Sequence, residues 1–68
     1  MQLIESRWSY VQGKTENTWL ADAESEITAG FDPESAIGSQ IMVVGSGDLW
    51  IKNTAGKWQK SGSTEVIE

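Results

Sequence analysis

The chain has 68 residues, four tryptophans, no cysteine, no histidine and a net charge of −5. Disulfides and the usual zinc ligands are therefore excluded. A domain of this size buries only about 60% of the surface that its unfolded chain exposes, so it needs dense packing of large side chains or a partner subunit.

The acidic charge is concentrated in the middle of the chain. Residues 15–51 contain seven acidic residues and no lysine or arginine. Nucleic-acid binding requires clustered basic side chains, so we expect no nucleic-acid partner. Residues 1–7 lack the pattern of a signal peptide, and the longest apolar run, Ile41–Val44, is far too short to cross a membrane. We therefore expect no membrane partner.

The first predicted element is a strand over Leu3–Gln12. Alternation along this segment places Ile4, Trp8 and Tyr10 on one face and polar residues on the other. Gly13-Lys14 is the predicted turn that follows. We expect Trp8 to belong to the core, because the apolar face of a strand is normally the covered one.

The segment from Thr15 to Gly30 fits two structures. Asn17 or Thr18 could cap a helix with apolar residues at helical spacing after it. Alternatively, Glu16–Ala21 could be a strand that returns against the first one. We favour the strand, followed by an irregular acidic loop.

The segment Asp32–Gly38 has the pattern of one helical turn. Asp32 suits the N-cap, Pro33 suits the first helical position, and Gly38 suits the left-handed residue that ends a helix. We expect a short helical turn near 33–37 that leads into the next strand.

The remainder of the chain predicts an antiparallel meander of three strands. Ile41–Val44 and Leu49–Lys52 are joined by a glycine-rich turn, and Asn53–Gly56 forms a second turn in which Gly56 has a positive φ. The predicted register places Val44 opposite Leu49 and Met42 opposite Ile51, with Trp58 also opposite Ile51.

This register selects a core face and leaves a second, half-apolar face. The predicted structural core consists of Trp8, Met42, Val44, Leu49, Ile51 and Trp58. The opposite face carries Ile41, Val43 and Trp50 beside polar residues, so the first strand or another chain must cover it. The candidate partner-binding residues are Trp19, Trp50, Ile41 and Val43.

Together these elements define a mainly β fold. We expect an antiparallel meander covered by the N-terminal strand, with residues 1–62 as one domain and 63–68 as a flexible tail. Two strands could form exposed edges, Ile41–Val44 or Lys57–Ser61. We therefore expect a homo-oligomer with an isologous or ring contact that has Trp19 or Trp50 near its centre.

No residue pattern indicates catalysis or a cofactor. Asp22, Glu24 and Glu26 alternate, but they lack the ligand spacing of a calcium loop and are expected to be solvated. Gly45-Ser46-Gly47 and Ser61-Gly62-Ser63 lack the lysine and the helix of a phosphate loop. We expect a protein that is not an enzyme, with no catalytic residue, no cofactor and no metal ligand.

The C-terminal half resembles a short module of tailed-phage and prophage structural proteins. The resemblance covers about residues 38–60 and is carried by Gly38-Ser39, Ile41–Val44, Gly45-Ser46-Gly47, Trp50, Gly56 and Trp58. It implies a small, often oligomeric virion or morphogenesis protein without catalytic residues, located in the virion or the host cytoplasm. Its partners would be itself or another virion protein.

Two alternative functions stay open at this point. One is a ligand-binding module, for example for carbohydrate, that uses Trp19 or Trp50 as an exposed stacking platform. The other is an inhibitor or regulator whose acidic middle segment binds a basic partner.

Overall fold

The computed structural model describes all 68 residues and consists mainly of β-structure. Five strands are accompanied by a single turn of 3-10 helix. The elements are β1 (Gln2–Ser9), β2 (Lys14–Ala21), the 3-10 turn (Glu24–Glu26), β3 (Gln40–Val43), β4 (Leu49–Lys52) and β5 (Trp58–Lys60). None of the helical segments has the length and apolar character needed to span a bilayer.

The strands form one mixed sheet in the order β1-β2-β3-β4-β5. β1 and β2 are antiparallel, β2 and β3 are parallel, and β3, β4 and β5 form an antiparallel meander. Parallel neighbours require a crossover connection, which residues 22–39 provide. The mainly β class, the meander and the strand over Glu16–Ala21 are thus confirmed.

The N-terminal strand does not cover the meander as predicted. β1 lies in the plane of the same sheet as its outermost strand, paired with β2 from Gln2–Leu20 to Ser9–Lys14. Trp8 is consequently 52% exposed, which makes its predicted core position wrong. The physical reason is that no element packs on either face of β1.

The crossover selects the face of the sheet that becomes the core. Ile27 and Phe31 from the crossover pack against side chains of the sheet, and Trp58 donates its ring N–H to the Phe31 carbonyl at 3.0 Å. The buried apolar cluster consists of Ala21, Ile27, Ile41, Val43, Trp50 and Trp58. Trp58 is therefore confirmed as a core residue.

Most of the predicted core lies on the opposite face. Met42 is 39% exposed, Val44 is 62% exposed, and Leu49 and Ile51 are only half-buried. Both faces of β3 and β4 are apolar in sequence, so alternation alone could not show which face the crossover covers. These four core assignments are corrected accordingly.

The register of the meander also differs from the prediction. Met42 lies opposite Leu49 rather than Ile51, because the first turn contains Val44 and the ladder ends at Val43. The Val43 carbonyl accepts the Gly47 amide at 2.8 Å, which closes this wider loop. Trp58 lies opposite Lys52 rather than Ile51.

The second turn follows the prediction. The side-chain oxygen of Asn53 accepts the backbone amides of Ala55 and Lys57, at 3.0 and 2.9 Å. Gly56 has a φ of 79°, the positive value that was predicted from its place in the turn.

The predicted helical turn near 33–37 is absent. Asp32 has a φ of 50°, and its carboxylate accepts hydrogen bonds from β2 instead of capping a helix. The only helical turn of the chain is Glu24–Glu26.

The C-terminal segment is folded onto the sheet, in contrast to the predicted flexible tail at 63–68. Val66 forms a bridge with Gln59, and the Ile67 amide donates to the Trp58 carbonyl at 2.9 Å. The Ile67 side chain packs against the core. The segment is held because it supplies hydrogen bonds to the outer edge of β5.

Candidate functional site

Three of the four predicted partner-binding residues belong to the core. Ile41, Val43 and Trp50 are buried beneath the crossover. Trp19 is half-buried, its ring packs edge-on against Phe31 at 4.9 Å, and its N–H donates to the Asp32 carboxylate at 2.9 Å. Ile41, Val43 and Trp50 offer no free contact surface, so their assignment as partner-binding residues is corrected. Trp19 keeps part of its surface exposed, and its assignment stays a prediction.

Exposed apolar side chains concentrate instead on the β1–β2 hairpin. We call this region the hairpin surface; it consists of Leu3, Ile4, Trp8, Tyr10 and Val11. At its tip, Tyr10 is 90% and Val11 is 98% exposed. The rings of Trp8 and Tyr10 meet edge to face, with their centroids 6.4 Å apart. An aromatic pair and an aliphatic neighbour are therefore presented to solvent on one hairpin.

The hairpin tip is attached to the rest of the domain by the side-chain amide of Gln12. Its oxygen accepts the Ile37 amide at 2.7 Å, and its nitrogen donates to the Ile37 carbonyl at 2.9 Å. The Ala36 amide donates to the Thr15 carbonyl at 2.8 Å nearby. These bonds hold the turn against the crossover, so the exposed side chains lie on a fixed backbone.

A polar network lies below the hairpin, where β2 meets the crossover. The Asp32 carboxylate accepts hydrogen bonds from the Asn17 amide at 3.0 Å and from Trp19. The Ser39 hydroxyl accepts the backbone N–H of Asn17, also at 3.0 Å. The network satisfies polar groups between the elements and leaves none of these side chains free for a ligand.

Lys52 is the one buried charged residue of the fold. Its ammonium donates to the carbonyls of Asp32, Pro33 and Ser35 and to the Ser35 hydroxyl, at 2.9–3.2 Å. Burial lowers the pKa of this lysine from its usual value, chiefly through loss of hydration. An ammonium has three protons, and four acceptors surround them here, so Lys52 anchors the crossover to β4.

A pocket of about 300 Å³ opens beside this lysine and also contacts Lys14 and Phe31. An anion would be the natural ligand of two lysines. However, the protons of Lys52 point to the carbonyls of residues 32–35, so the pocket has only one available cation. The pocket therefore lacks the convergent polar groups that mark a binding site.

The acidic residues of the middle segment form local contacts. Glu26 accepts the backbone amides of Asp22 and Ala23 and pairs with the terminal ammonium of Met1 at 2.8 Å. This ion pair and the two amides lower its pKa to about 2. No group of three or more potential metal ligands occurs.

A second carboxyl pair joins the 3-10 turn to the turn before β4. Glu24 shares a hydrogen bond with Asp48, which raises the pKa of Glu24 and lowers that of Asp48. Lys60 pairs with Asp48 at 3.3 Å, and Ser46 donates to Glu24 at 3.2 Å. All these groups are accessible to water, and the carboxylates lie outside any enclosed pocket.

The sequence contained a usable signal for the hairpin surface. Tyr10 and Val11 directly precede Gln12-Gly13, and apolar residues at the centre of a tight turn cannot be covered by their own strands. The predicted strand Leu3–Gln12 includes Tyr10 and Val11, so the prediction placed them on a strand face and not in a turn. The structural role of Gln12 had no sequence signal, because its partner Ile37 is distant in the chain.

Comparisons with known protein families, with curated proteins and with solved structures find no match for this chain.

Proposed function

We propose that this protein is a non-enzymatic protein–protein interaction module that acts through the hairpin surface. The observation that carries the proposal is the exposure of Trp8, Tyr10 and Val11 together on one hairpin. Contiguous exposed apolar groups mark interaction sites, and aromatic side chains dominate the binding energy of such sites.

The fixed backbone below the hairpin tip supports this function. Because Gln12 holds the turn against Ile37, little loop ordering would be needed when a partner binds. A preorganised contact surface loses less conformational entropy on association than a mobile one. The Trp8–Tyr10 pair can thus serve as an anchor without rearrangement.

A structural or assembly role in a tailed phage or prophage is the biological form of this proposal. It rests on the resemblance over residues 38–60, which implies a small virion component. The hairpin surface adds a physical means by which such a component would contact its neighbours.

The proposal is tested by placing a photo-reactive phenylalanine analogue at Val11 in cells that produce the protein. A matched probe at Thr54 occupies an exposed turn at another part of the domain. We expect a discrete protein adduct from position 11 that is lost when Trp8→Ser is added, and none from position 54. Equal labelling from both positions, or Trp8-dependent glycan binding without any protein adduct, would contradict the proposal.

A further inference from the structure

The sheet has one covered edge and one open edge. β5 is covered, because the Lys60 amide donates to the Glu65 carbonyl and Ile67 donates to Trp58. β1 is the other outermost strand, and it is solvent-exposed along nearly its whole length. It contains no proline that would block pairing. Its register is interrupted by one bulge between Leu3 and Glu5, and it is regular from Glu5 to Ser9. An open edge of this kind is a template for another strand.

The direction of the backbone groups on this edge follows from β2. The Asn17 amide points away from β1, since it donates to the Ser39 hydroxyl on the β3 side. Ser6 lies directly opposite Asn17. In an antiparallel pair whose residues do not bond to each other, both sets of peptide groups point outward. The N–H and C=O of Ser6 are therefore directed at the open edge.

We propose that β1 pairs antiparallel with β1 of a second copy, about a two-fold axis at Ser6. This inference rests on the proposed function and names its partner. The two Ser6 residues would exchange both N–H···O bonds, because the peptide groups of each point to the other. Glu5 of each copy would then lie opposite Arg7 of the second copy, which gives two symmetric ion pairs.

Charge complementarity selects this register over its neighbours. An axis at Glu5 would place two carboxylates opposite each other, and an axis at Arg7 would oppose two guanidinium groups. A two-fold axis midway between two residues would place the outward-pointing peptide groups of Ser6 opposite inward-pointing groups of the second copy. The hydrogen-bonded ladder could then not form. Only the Ser6 axis joins opposite charges and satisfies the backbone.

The other face of the paired strands is also complementary. Trp8 of one copy would lie near Ile4 of the second copy, where the bulge between Leu3 and Glu5 ends the regular register, and the reverse contact completes the symmetry. Contacts between aromatic and β-branched side chains stabilise strand pairing. Two exposed groups of the hairpin surface thereby become covered, while Tyr10 and Val11 stay at the two ends of the interface.

The Arg7 side chain already forms one contact within its own chain. Its guanidinium lies 3.4 Å from the Glu16 carboxylate, on the face that Glu5 shares. In the dimer it would lie between Glu16 and Glu5 of the second copy. A guanidinium has five N–H donors and can pair with two carboxylates at once.

The test uses two charge-reversal variants that should each weaken dimerisation alone and restore it when they are mixed. Glu5→Arg places two arginines opposite each other, and Arg7→Glu places two glutamates opposite each other. Each variant alone should dimerise about tenfold or more weakly than the native chain, as measured by sedimentation from micromolar to millimolar concentration. An equimolar mixture should recover native affinity as a heterodimer, because one ion pair keeps its native Glu5–Arg7 form and the two substituted positions form the other with reversed sign. Glu34→Arg and Lys57→Glu make the same charge changes at exposed positions outside β1 and should leave dimerisation unchanged.

A second measurement does not depend on any variant. Hydrogen exchange of the Ser6 amide should slow as the native protein concentration rises, since this N–H becomes bonded only in the dimer. A native monomer over the whole range, a mixture no tighter than its components, or an unprotected Ser6 amide in a dimer would overturn the pairing. In those cases a Trp8-dependent adduct from Val11 to a different protein would still support the proposed function, so the two failures are distinguishable.

Discussion

Replacing Lys52 with methionine tests whether the buried ammonium holds the crossover on the sheet. Methionine keeps the length and apolar stem of the side chain but removes all the bonds to the carbonyls of Asp32, Pro33 and Ser35. The hydrogen bonds to the first two carbonyls are only partly buried, whereas the bond to Ser35 is buried. Leaving the buried Ser35 carbonyl and hydroxyl without the ammonium costs roughly 1–3 kcal/mol. Weaker hydrogen bonding of the Asp32 and Pro33 carbonyls adds about 1 kcal/mol.

The expected loss is therefore about 2–4 kcal/mol, a large part of the roughly 3–10 kcal/mol available to a chain of this length. Urea unfolding followed by tryptophan fluorescence should show a lower midpoint with an unchanged slope. Lys57→Met is the matched control, because Lys57 forms only an exposed ion pair with Glu68 and should cost less than about 1 kcal/mol. A Lys52→Met protein as stable as the control would refute the reasoning. It would show that the free-energy cost of removing water from the Lys52 ammonium equals the stabilisation from its hydrogen bonds to the carbonyls.

Two further predictions concern the crossover. Gly45→Ala should destabilise the fold by about 1–3 kcal/mol, since a Cβ there would lie 2.5 Å from the Asp22 carbonyl oxygen. Gly30→Ala meets nothing within 4 Å and should be neutral or slightly stabilising, so equal urea midpoints for the two variants would contradict this account. The lowered pKa of Glu26 means that its contribution to stability is complete above its ordinary value of 4.5 and is lost as the pH falls towards about 2. Glu26→Gln should reduce the loss of unfolding free energy as the pH falls. Glu65→Gln should not, because the Glu65 carboxylate accepts no hydrogen bond. If the unfolding free energies of both variants fall in parallel, the Glu26 contacts are not the cause.

The strands and turns could be predicted because their causes are local. Alternation identified β1, and Asn53 with Gly56 identified the turn between β4 and β5. The strand over Glu16–Ala21 was favoured by Trp19 and its neighbours for the same reason. Such signals depend on residues within a few positions of each other.

The core face could not be predicted because its cause is distant in the chain. Met42 and Ile41 alternate on β3 with similar hydrophobicity, so either could face inward. The decision depends on which side residues 22–39 cross to join parallel strands, and Ile27 and Phe31 mark that side only after folding. The same distance conceals the role of Lys52, because the carbonyls of Asp32, Pro33 and Ser35 reach its ammonium only after folding.

The four tryptophans divide between stability and contact. Trp19 and Trp58 are fixed by ring hydrogen bonds, and Trp50 is buried completely, even though its ring N–H has no partner within the protein. An unpaired buried donor costs about 1–3 kcal/mol, so packing around Trp50 must outweigh it. Trp8 has neither burial nor a hydrogen bond. Trp8 is therefore the tryptophan that the fold leaves available for the contact proposed for the hairpin surface.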